Sequence, residues 1–506
     1  MDRPSSHNTA LRHLLVVLAG ALLLLIPGLL NQEPFLYRDT TTYYKGAETG
    51  IVRLLGDRFS LGEPALADPA TVDPARNLPT VDGGALTSVD DGVVIAGRSV
   101  YYGVLVYAAL WLGSLFYLAA LQALIVSYVV HAFFRVLMPQ ALTLFLPLLA
   151  LLSLATPLGY FTNLIMPDIL AGAAIVIVAI LLTRFAVLGL FDRVCLLAIL
   201  VLALLGHSSH LLLVGLMLGL GIVLVARHGW RRLRDPALLL IASALLVGFA
   251  GEQAFNFAAR QMLGSAPLRL PHLSAHLVEM GPGTEYLDEH CPEAGFAICA
   301  DRAKFPIVWT NFLFNPDPRN GVFAVADAPR KRAISDEQVR FAFAVLADRP
   351  LETMGGFSLS FLEQLGRFKL DELYYDADSF QTFATRLPAS EFRRVARSAA
   401  AGHGVIEDWL TGSTYLVVLA SLAIIAAMQW RLWRSQRAIG GDLITASWLI
   451  LFGVVANAAV CGIIASPFDR FQARVIWLVP LAALALAMAW RGQSRISAAR
   501  ETSPAD

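Results

Sequence analysis

Charge is scarce in this sequence. Lysine, arginine, aspartate and glutamate make up 15% of the chain, against roughly 25% in an ordinary soluble domain. Apolar residues fill the gap at 57%, with a mean hydropathy of +0.61. A soluble chain has nowhere to bury so much apolar surface, whereas a bilayer accepts it. The few charges also balance, 39 basic against 39 acidic, so there is no basic excess for a nucleic-acid partner, and none is expected. Cysteine is nearly absent too. Of four, Cys195 and Cys461 lie in apolar runs and read as small buried hydrophobes. Cys291 and Cys299 lie in the polar stretch CPEAGFAIC, with no histidine at zinc-finger spacing. Outside the cytoplasm such a pair reads as a disulfide; two free thiols are the alternative.

Long apolar runs are what the sequence has in quantity. A membrane helix needs about 20 mostly apolar residues, and about ten runs qualify as candidate spans: 14–30, 111–134, 141–158, 169–182, 194–206, 209–226, 237–255, 415–429, 443–465 and 475–490. The 194–206 and 209–226 runs read either as one broken helix pair or as two spans joined by a tight turn at His207–His210. Basic residues are retained on the cytoplasmic side. With the N-terminus inside, the inner segments hold Arg3 and Arg12; Arg135; Arg184 and Arg193; Arg227, Arg231, Arg232 and Arg234; Arg431, Arg434 and Arg437; and Arg491, Arg495 and Arg500. The short outer turns near Tyr160 and His207 hold none. The first run follows two arginines, as a signal peptide would, but IPGLLNQEP offers no small-x-small cleavage site, so an uncleaved first helix is expected.

The fold class expected is therefore an all-α polytopic membrane protein with about ten transmembrane helices and a small mixed α/β or mainly α extracytoplasmic domain. Three modules follow: 1–255, with a long first outer loop over 31–98; 256–412, the extracytoplasmic domain; and 413–506. The expected location is a bacterial cytoplasmic (inner) membrane, crossed many times, with both termini cytoplasmic.

The first outer loop is rich in Asp, Gly and Pro, with turn pairs at Asp82-Gly83 and Asp91-Gly92. After it, GRSVYYGVLVYAALW is too long to belong wholly to the next span. Residues 99–110 read as a helix lying in the interface, with Tyr101, Tyr102 and Tyr107 at headgroup level; a long, tilted span is the alternative. In the second outer segment, 334–348 reads as a helix with Ser335 as N-cap and Gln338 completing a capping box. Residues 351–368 continue with helical spacing through Phe357, Phe361 and Leu365. With no catalytic motif, this segment reads as a lid, scaffold or partner surface.

Ionisable groups near membrane depth carry the functional expectations. Arg38 and Asp39 lie in FLYRDTTTYY, just past the first span. Asp39 has the place of a general base or of a metal ligand beside a phosphate; an exposed ion pair is the plain reading. Asp168, in YFTNLIMPD, opens the fourth span, where a carboxylate also suits the helix dipole. His207 and His210, in GHSSH, would share a helix face. They suit a proton shuttle or a phosphate contact better than zinc, since no HExxH or third ligand follows. Asp469, Arg470 and Arg474, in SPFDRFQARVIW, break the inside-only trend for arginine. The two arginines suit bidentate phosphate recognition, with an Asp469–Arg pair as the alternative. All these groups fall on one side of the predicted topology, which suits transfer from a lipid-linked phosphate donor.

This combination resembles the GT-C-type glycosyltransferases: an uncleaved first helix, then a long first outer loop carrying an acidic residue in YRDTTTYY, an interfacial element in GRSVYYG, and a later outer acidic position in MPD. The resemblance covers the architecture and about the first 190 residues. It implies a sugar moved from a lipid-linked phosphate donor to a glycan, lipid or protein acceptor at the outer face. Catalytic roles then fall to Asp39 and Asp168, and substrate or phosphate contacts to Arg38, His207, His210, Arg470 and Arg474. Membrane lipids are partners, and a divalent cation, Mg or Mn, is the candidate cofactor. Asp39 is followed by three threonines rather than by a second acidic residue, which leaves the metal open. An O-antigen-ligase or polymerase-like transferase, in which arginine and histidine matter more, is one alternative. A transporter or a non-enzymatic envelope assembly protein is another.

Overall fold

The computed structural model describes residues 6–64, 95, 98–227, 229, 233–370, 373–402, 405–435 and 441–501. Arg3, Arg231, Arg232 and Arg437, the turn pairs at 82–83 and 91–92, and the side chains of Arg491, Arg495 and Arg500 lie outside what is described. Described residues form helices and three isolated bridges, with no strand among them.

The first module holds α1 (Ser6–Asn31), α2 (Arg38–Leu55), α3 (Val100–Trp111), α4 (Phe116–Leu137), α5 (Phe145–Ala155), α6 (Leu158–Asn163), α7 (Ile169–Arg184), α8 (Leu190–Gly206), α9 (Ser208–Ala226) and α10 (Pro236–Leu263). The more polar middle holds α11 (His272–Met280), α12 (Pro282–His290), α13 (Trp309–Phe314), α14 (Ala328–Asp348), α15 (Pro350–Gly366), α16 (Ala377–Arg386) and α17 (Ala389–Val395). The last module holds α18 (Val405–Ser435), α19 (Asp442–Ile464), α20 (Asp469–Ile476) and α21 (Leu478–Glu501).

Among the described residues, eight helical stretches are long and apolar enough to cross a membrane: α1, α4, α7, α9, α10, α18, α19 and the α20–α21 pair. The other two expected spans are shorter. The 141–158 run becomes a 3-10 turn and the eleven-residue α5, cut off at Thr156–Pro157, because proline cannot continue a helix through its missing N–H. The 194–206 run lies in α8, whose 17 residues rise about 26 Å at 1.5 Å each, short of the roughly 30 Å hydrocarbon core.

Helix α7 is the packing centre, with every residue from Ile169 to Leu181 buried. It touches α4, α8, α9, α19 and α20. A Cβ on Gly172 would lie 2.8 Å from the Trp477 ring, so only glycine lets α7 meet the α20–α21 junction this closely.

Helix α2 was not anticipated in the first outer loop. It begins where Thr40 Oγ1 accepts the Tyr37 N–H at 3.0 Å, which puts Asp39 in its first turn, at the positive end of the dipole. Its Tyr43, Tyr44 and Ala47 are buried against α3. The approach is so close that a Cβ on Gly103 would sit 2.3 Å from the Tyr43 carbonyl oxygen. Ser99 caps α3, accepting the Tyr101 and Tyr102 N–H groups. Residues 112–115, with Gly113 at φ 92°, separate it from α4, so it is a separate helix and not the start of a long tilted span. Its tyrosine hydroxyls are committed inside the protein. They donate to Gly251 O, Gln122 Oε1 and Phe59 O.

The 256–412 segment does not fold as one unit. Its lower boundary falls inside α10 and its upper one inside α18. Leu277, Val278, Phe312, Phe323, Ile334 and Phe341 form a second core, built from α11–α14. Phe368, Tyr375, Phe383 and Phe392 belong instead to the main core, and α16 packs on α2. The helix expected to start at Ser335 starts two turns earlier. Asp327 accepts the Arg330 N–H and Pro329 sits in the first turn, so Ser335 is internal and bonds the Arg269 backbone. The 351–368 helix is α15, ending at Gly366.

Candidate functional site at one end of the spans

The end of α1, the start of α7, the α8–α9 junction and the α19–α20 junction meet at one end of the bundle, with α2 and the segment before α3 beside them. Asp39 and Asp168 come together there through Arg470. Arg98 Nη2 lies 2.5 Å from Asp39 Oδ1. Arg470 Nη2 lies 3.8 Å from Asp39 Oδ2, and Arg470 Nε lies 3.9 Å from Asp168 Oδ1. The Arg470 guanidinium also lies over the Tyr37 ring, 3.9 Å from its centre, a cation–π contact.

Arg474 is one turn further along α20, on the same face. It is 2% exposed and approaches Asp168 Oδ1 at 3.6 Å. Its guanidinium donates to Asn457 Oδ1 at 2.8 and 3.2 Å, to Ser209 Oγ at 3.2 Å and to Cys461 Sγ at 3.4 Å. A planar fork with five donors can satisfy four such partners at once, which an ammonium cannot. Asp168 occupies the N-cap position of α7 but makes no capping bond; its carboxylate serves the arginines instead.

His207 breaks the chain between α8 and α9, with φ −157° and ψ 133°, so it caps α9 instead of sharing a helical face with His210. Its Nδ1 accepts the Ser209 N–H at 3.2 Å, which leaves Nε2 to carry the proton of the neutral ring. Ser209 Oγ lies 2.8 Å from the same Nδ1, completing a chain from Arg474 through Ser209 to His207. His210 is fully buried, and its Nδ1–H donates to Ala203 O at 2.7 Å.

These groups face a cavity of about 2160 Å³ bounded by α2, α3, α10, α16, α20 and the α11–α14 unit. Asp39, Arg98, His207, Arg470 and Arg474 line it; Asp168 and His210 lie behind the wall. Eight basic side chains and four carboxylates face it, so it favours an anion. Burial alone would push the Asp39 carboxyl up, but Arg98, with Arg470 and Arg386, outweighs it and holds Asp39 below the usual carboxylate range. Burial pushes His207 well down, reinforced by His210 and Arg474. Burial also takes His272 to about 4, with Arg98 adding to the effect. Both imidazoles are neutral at pH 7.

Other expected residues are placed differently. Arg38 pairs with Asp376 at 2.6 Å and Asp378 at 3.7 Å on the cavity rim. Asp469 takes Arg367 at 3.2 Å and the Lys369 N–H at 2.9 Å. Cys291 and Cys299 are joined as a disulfide, with Cα atoms 5.6 Å apart, in the α11–α14 unit. Arg98, Arg386 and His272 were not anticipated. Arg98 had no mark of its own, since the 31–98 and 256–412 segments hold many other arginines. His272 and Arg386 had no local mark, because only tertiary packing brings them here.

The carboxylates do not fit a divalent cation. Such an ion takes anionic or carbonyl oxygens, yet Asp39 and Asp168 have three guanidinium groups within 4 Å of their oxygens. The remaining cavity carboxylates are paired as well, Glu252 with Arg269 and Asp376 and Asp378 with Arg38. Among the described residues Glu289, His290 and Asp348 also approach one another, but Arg349 binds both carboxylates and the group lies away from the cavity.

Comparison with protein-family profiles, with curated proteins and with solved structures returns no match for this chain.

Proposed function

We propose that this protein is a GT-C-like glycosyltransferase that takes a sugar from a lipid-linked phosphate donor at the outer face of a cytoplasmic membrane. The observation that carries this reading is the cluster of Arg98, Arg470 and Arg474 around Asp39 and Asp168, facing a basic cavity at the ends of apolar helices. A phosphate on an apolar carrier needs both a buried cationic site and a route from lipid. Leu54, Phe249, Leu212 and Met262 line the same cavity and are exposed, so an acyl or polyprenyl chain has an apolar path to the arginines.

In the proposed step the acceptor oxygen forms a bond to the anomeric carbon, and the bond from that carbon to the donor phosphate oxygen breaks. The electron pair leaves with the phosphate. Arg470 and Arg98 neutralise the charge that develops on it, and Arg474, locked by Asn457 and Asp168, holds Arg470's side of α20 in place. The acceptor proton goes to Asp39. A carboxylate held by two guanidinium groups is a weak base, but the leaving phosphate competes for those groups. Asp39 thus gains basicity as the phosphate departs. No step uses a metal, since the donor set does not suit one.

The chain from Arg474 through Ser209 to His207 favours a second reading, a ligase-like transferase working through arginine and histidine. The two separate on one experiment: transfer of radiolabelled sugar from polyprenyl-phosphate donors by purified wild type and Asp39→Asn. Loss of transfer with unchanged folding supports the first reading. Equal transfer by both overturns Asp39 as the acid–base group and moves the chemistry to His207 and the arginines.

A further inference from the structure

The cavity has two chemically different walls. The arginine wall is charged. The wall built by α11, α13 and α14 presents His272, Trp309, Thr310, Asn311, Asn315 and Gln338. Its hydrogen-bonding side chains are mostly uncharged. His272 and Trp309 stack with ring centres 5.3 Å apart and planes at 22°. Trp309 is 6% exposed, and among the described residues neither Trp309 Nε1 nor His272 Nδ1 has a hydrogen-bond partner. Buried donors and acceptors are normally satisfied, and leaving one unpaired costs about 1–3 kcal/mol. Two on adjacent stacked rings in a cavity wall therefore point to a ligand.

The wall also faces the reacting groups. Ile95, three residues before Arg98, bridges to Leu268, four residues before His272, which ties the segment carrying Arg98 to the start of α11. The charges of Arg98 and Asp39 both reach the His272 ring.

We infer that this wall is the acceptor subsite and that it takes an uncharged carbohydrate, whose hydroxyls it bonds through the Trp309 and His272 ring nitrogens and the Asn311, Asn315 and Gln338 amides. The inference rests on the donor reading above. An amide is both donor and acceptor, as a hydroxyl is, so Asn and Gln match sugar hydroxyls where arginine matches phosphate. A phosphorylated acceptor would be drawn to the arginine wall and would compete with the donor. A neutral sugar has no such preference and takes the aromatic and amide wall, with its hydroxyl directed at Asp39.

The test uses the full chain in nanodiscs and two kinds of probe: methyl glycopyranosides of glucose, mannose, galactose and arabinose, and farnesyl phosphate. Binding is read by saturation-transfer NMR. At least one glycoside is expected to bind wild type and to weaken about three- to tenfold, the worth of one hydrogen bond, in each of Trp309→Phe, Asn311→Ala and Gln338→Ala, with farnesyl phosphate unaffected. Trp309→Phe keeps the ring packing, and Asn311 is exposed, so folding survives. Arg470→Gln should do the reverse, losing farnesyl phosphate and keeping the glycoside. A glycoside signal absent from wild type, or unchanged in all three wall variants, overturns the acceptor wall. Failure of farnesyl phosphate to bind wild type, with the glycoside bound, overturns the donor reading instead.

Discussion

Arg98 decides what Asp39 can do. Burial is the largest influence on the Asp39 carboxyl and would raise its pKa, but the guanidinium at 2.5 Å reverses the outcome. In the wild type the folded pKa is lowered. The stability Asp39 contributes is fully present above its unfolded value of about 3.9 and is lost as pH falls through the folded value. In Arg98→Gln burial is opposed only by Arg470 and Arg386, so the folded pKa rises relative to the wild type. The variant should therefore lose more stability at pH 7 than at pH 4, read as the difference in melting temperature from wild type. An equal loss at both pH values would show that Asp39 does not depend on Arg98. Arg474 makes a different case. It is buried with Asp168, so Arg474→Gln should cost about 3 kcal/mol by leaving a buried carboxylate poorly compensated, and Asp168→Asn in the same chain should restore part of that. Thermal unfolding of the two variants checks this; a double variant no more stable than the single would remove Asp168 from the account.

Helices α2 and α3 are the elements on which the site depends, because α2 carries Asp39 and Ser99 starts α3 directly after Arg98. Their contact rests on Gly103. A Cβ there meets the Tyr43 carbonyl at 2.3 Å, and backbone cannot swing aside as a flexible side chain can. Gly103→Ala should destabilise by about 1–3 kcal/mol. Gly46 and Gly50, on the same α2, have nothing within 4 Å of the added atom, so alanine there should be neutral or up to about 1 kcal/mol stabilising through helix propensity. Thermal unfolding of the three variants checks this directly, and a Gly103→Ala protein as stable as wild type would show that the two helices can separate without cost. Helix α14 shows a different element-level effect. Ser335 and Gln338 read as a capping box, but the competing Asp327 cap with Pro329 starts the helix earlier. A local motif loses to another local motif of the same kind, and choosing between them needs the position of the preceding chain.

At the scale of the whole molecule, the charged groups separate to two ends. At the end opposite the cavity, Arg135 pairs with Asp192 at 2.6 Å and Arg184 with Asp442 at 3.1 Å. At the cavity end the arginines outnumber the carboxylates, and each carboxylate near the site is occupied by a guanidinium. Transfer should accordingly be unchanged when EDTA is added and when Mg or Mn is restored, measured with the same labelled donor. A loss on chelation that Mg or Mn repairs would overturn the metal-free mechanism. The α11–α14 unit, with its own core and the Cys291–Cys299 disulfide, closes one side of the cavity, so the lid or scaffold expected over 256–412 is partly a wall of the site.

By itself the sequence determined the membrane class and most of the spans, because an apolar run of about 20 residues has no other stable solvent than lipid. It also marked Asp39, Asp168, Arg470 and Arg474, because charge beside a span is costly and conspicuous. At 141–158 and 194–206 the hydropathy is right, but proline and length leave helices shorter than the apolar runs suggest. Only the tertiary structure decided that Arg470 bridges two carboxylates from segments more than a hundred residues apart. It alone placed Arg98 against Asp39, paired Asp469 with Arg367, and stacked His272 on Trp309 with Trp309 Nε1 and His272 Nδ1 unbonded among the described residues. The reason is physical. Burial in lipid is a property of each segment alone, whereas the pairing of charges depends on which helix ends meet, and that is set by close contacts such as Gly103 on Tyr43 and Gly172 on Trp477.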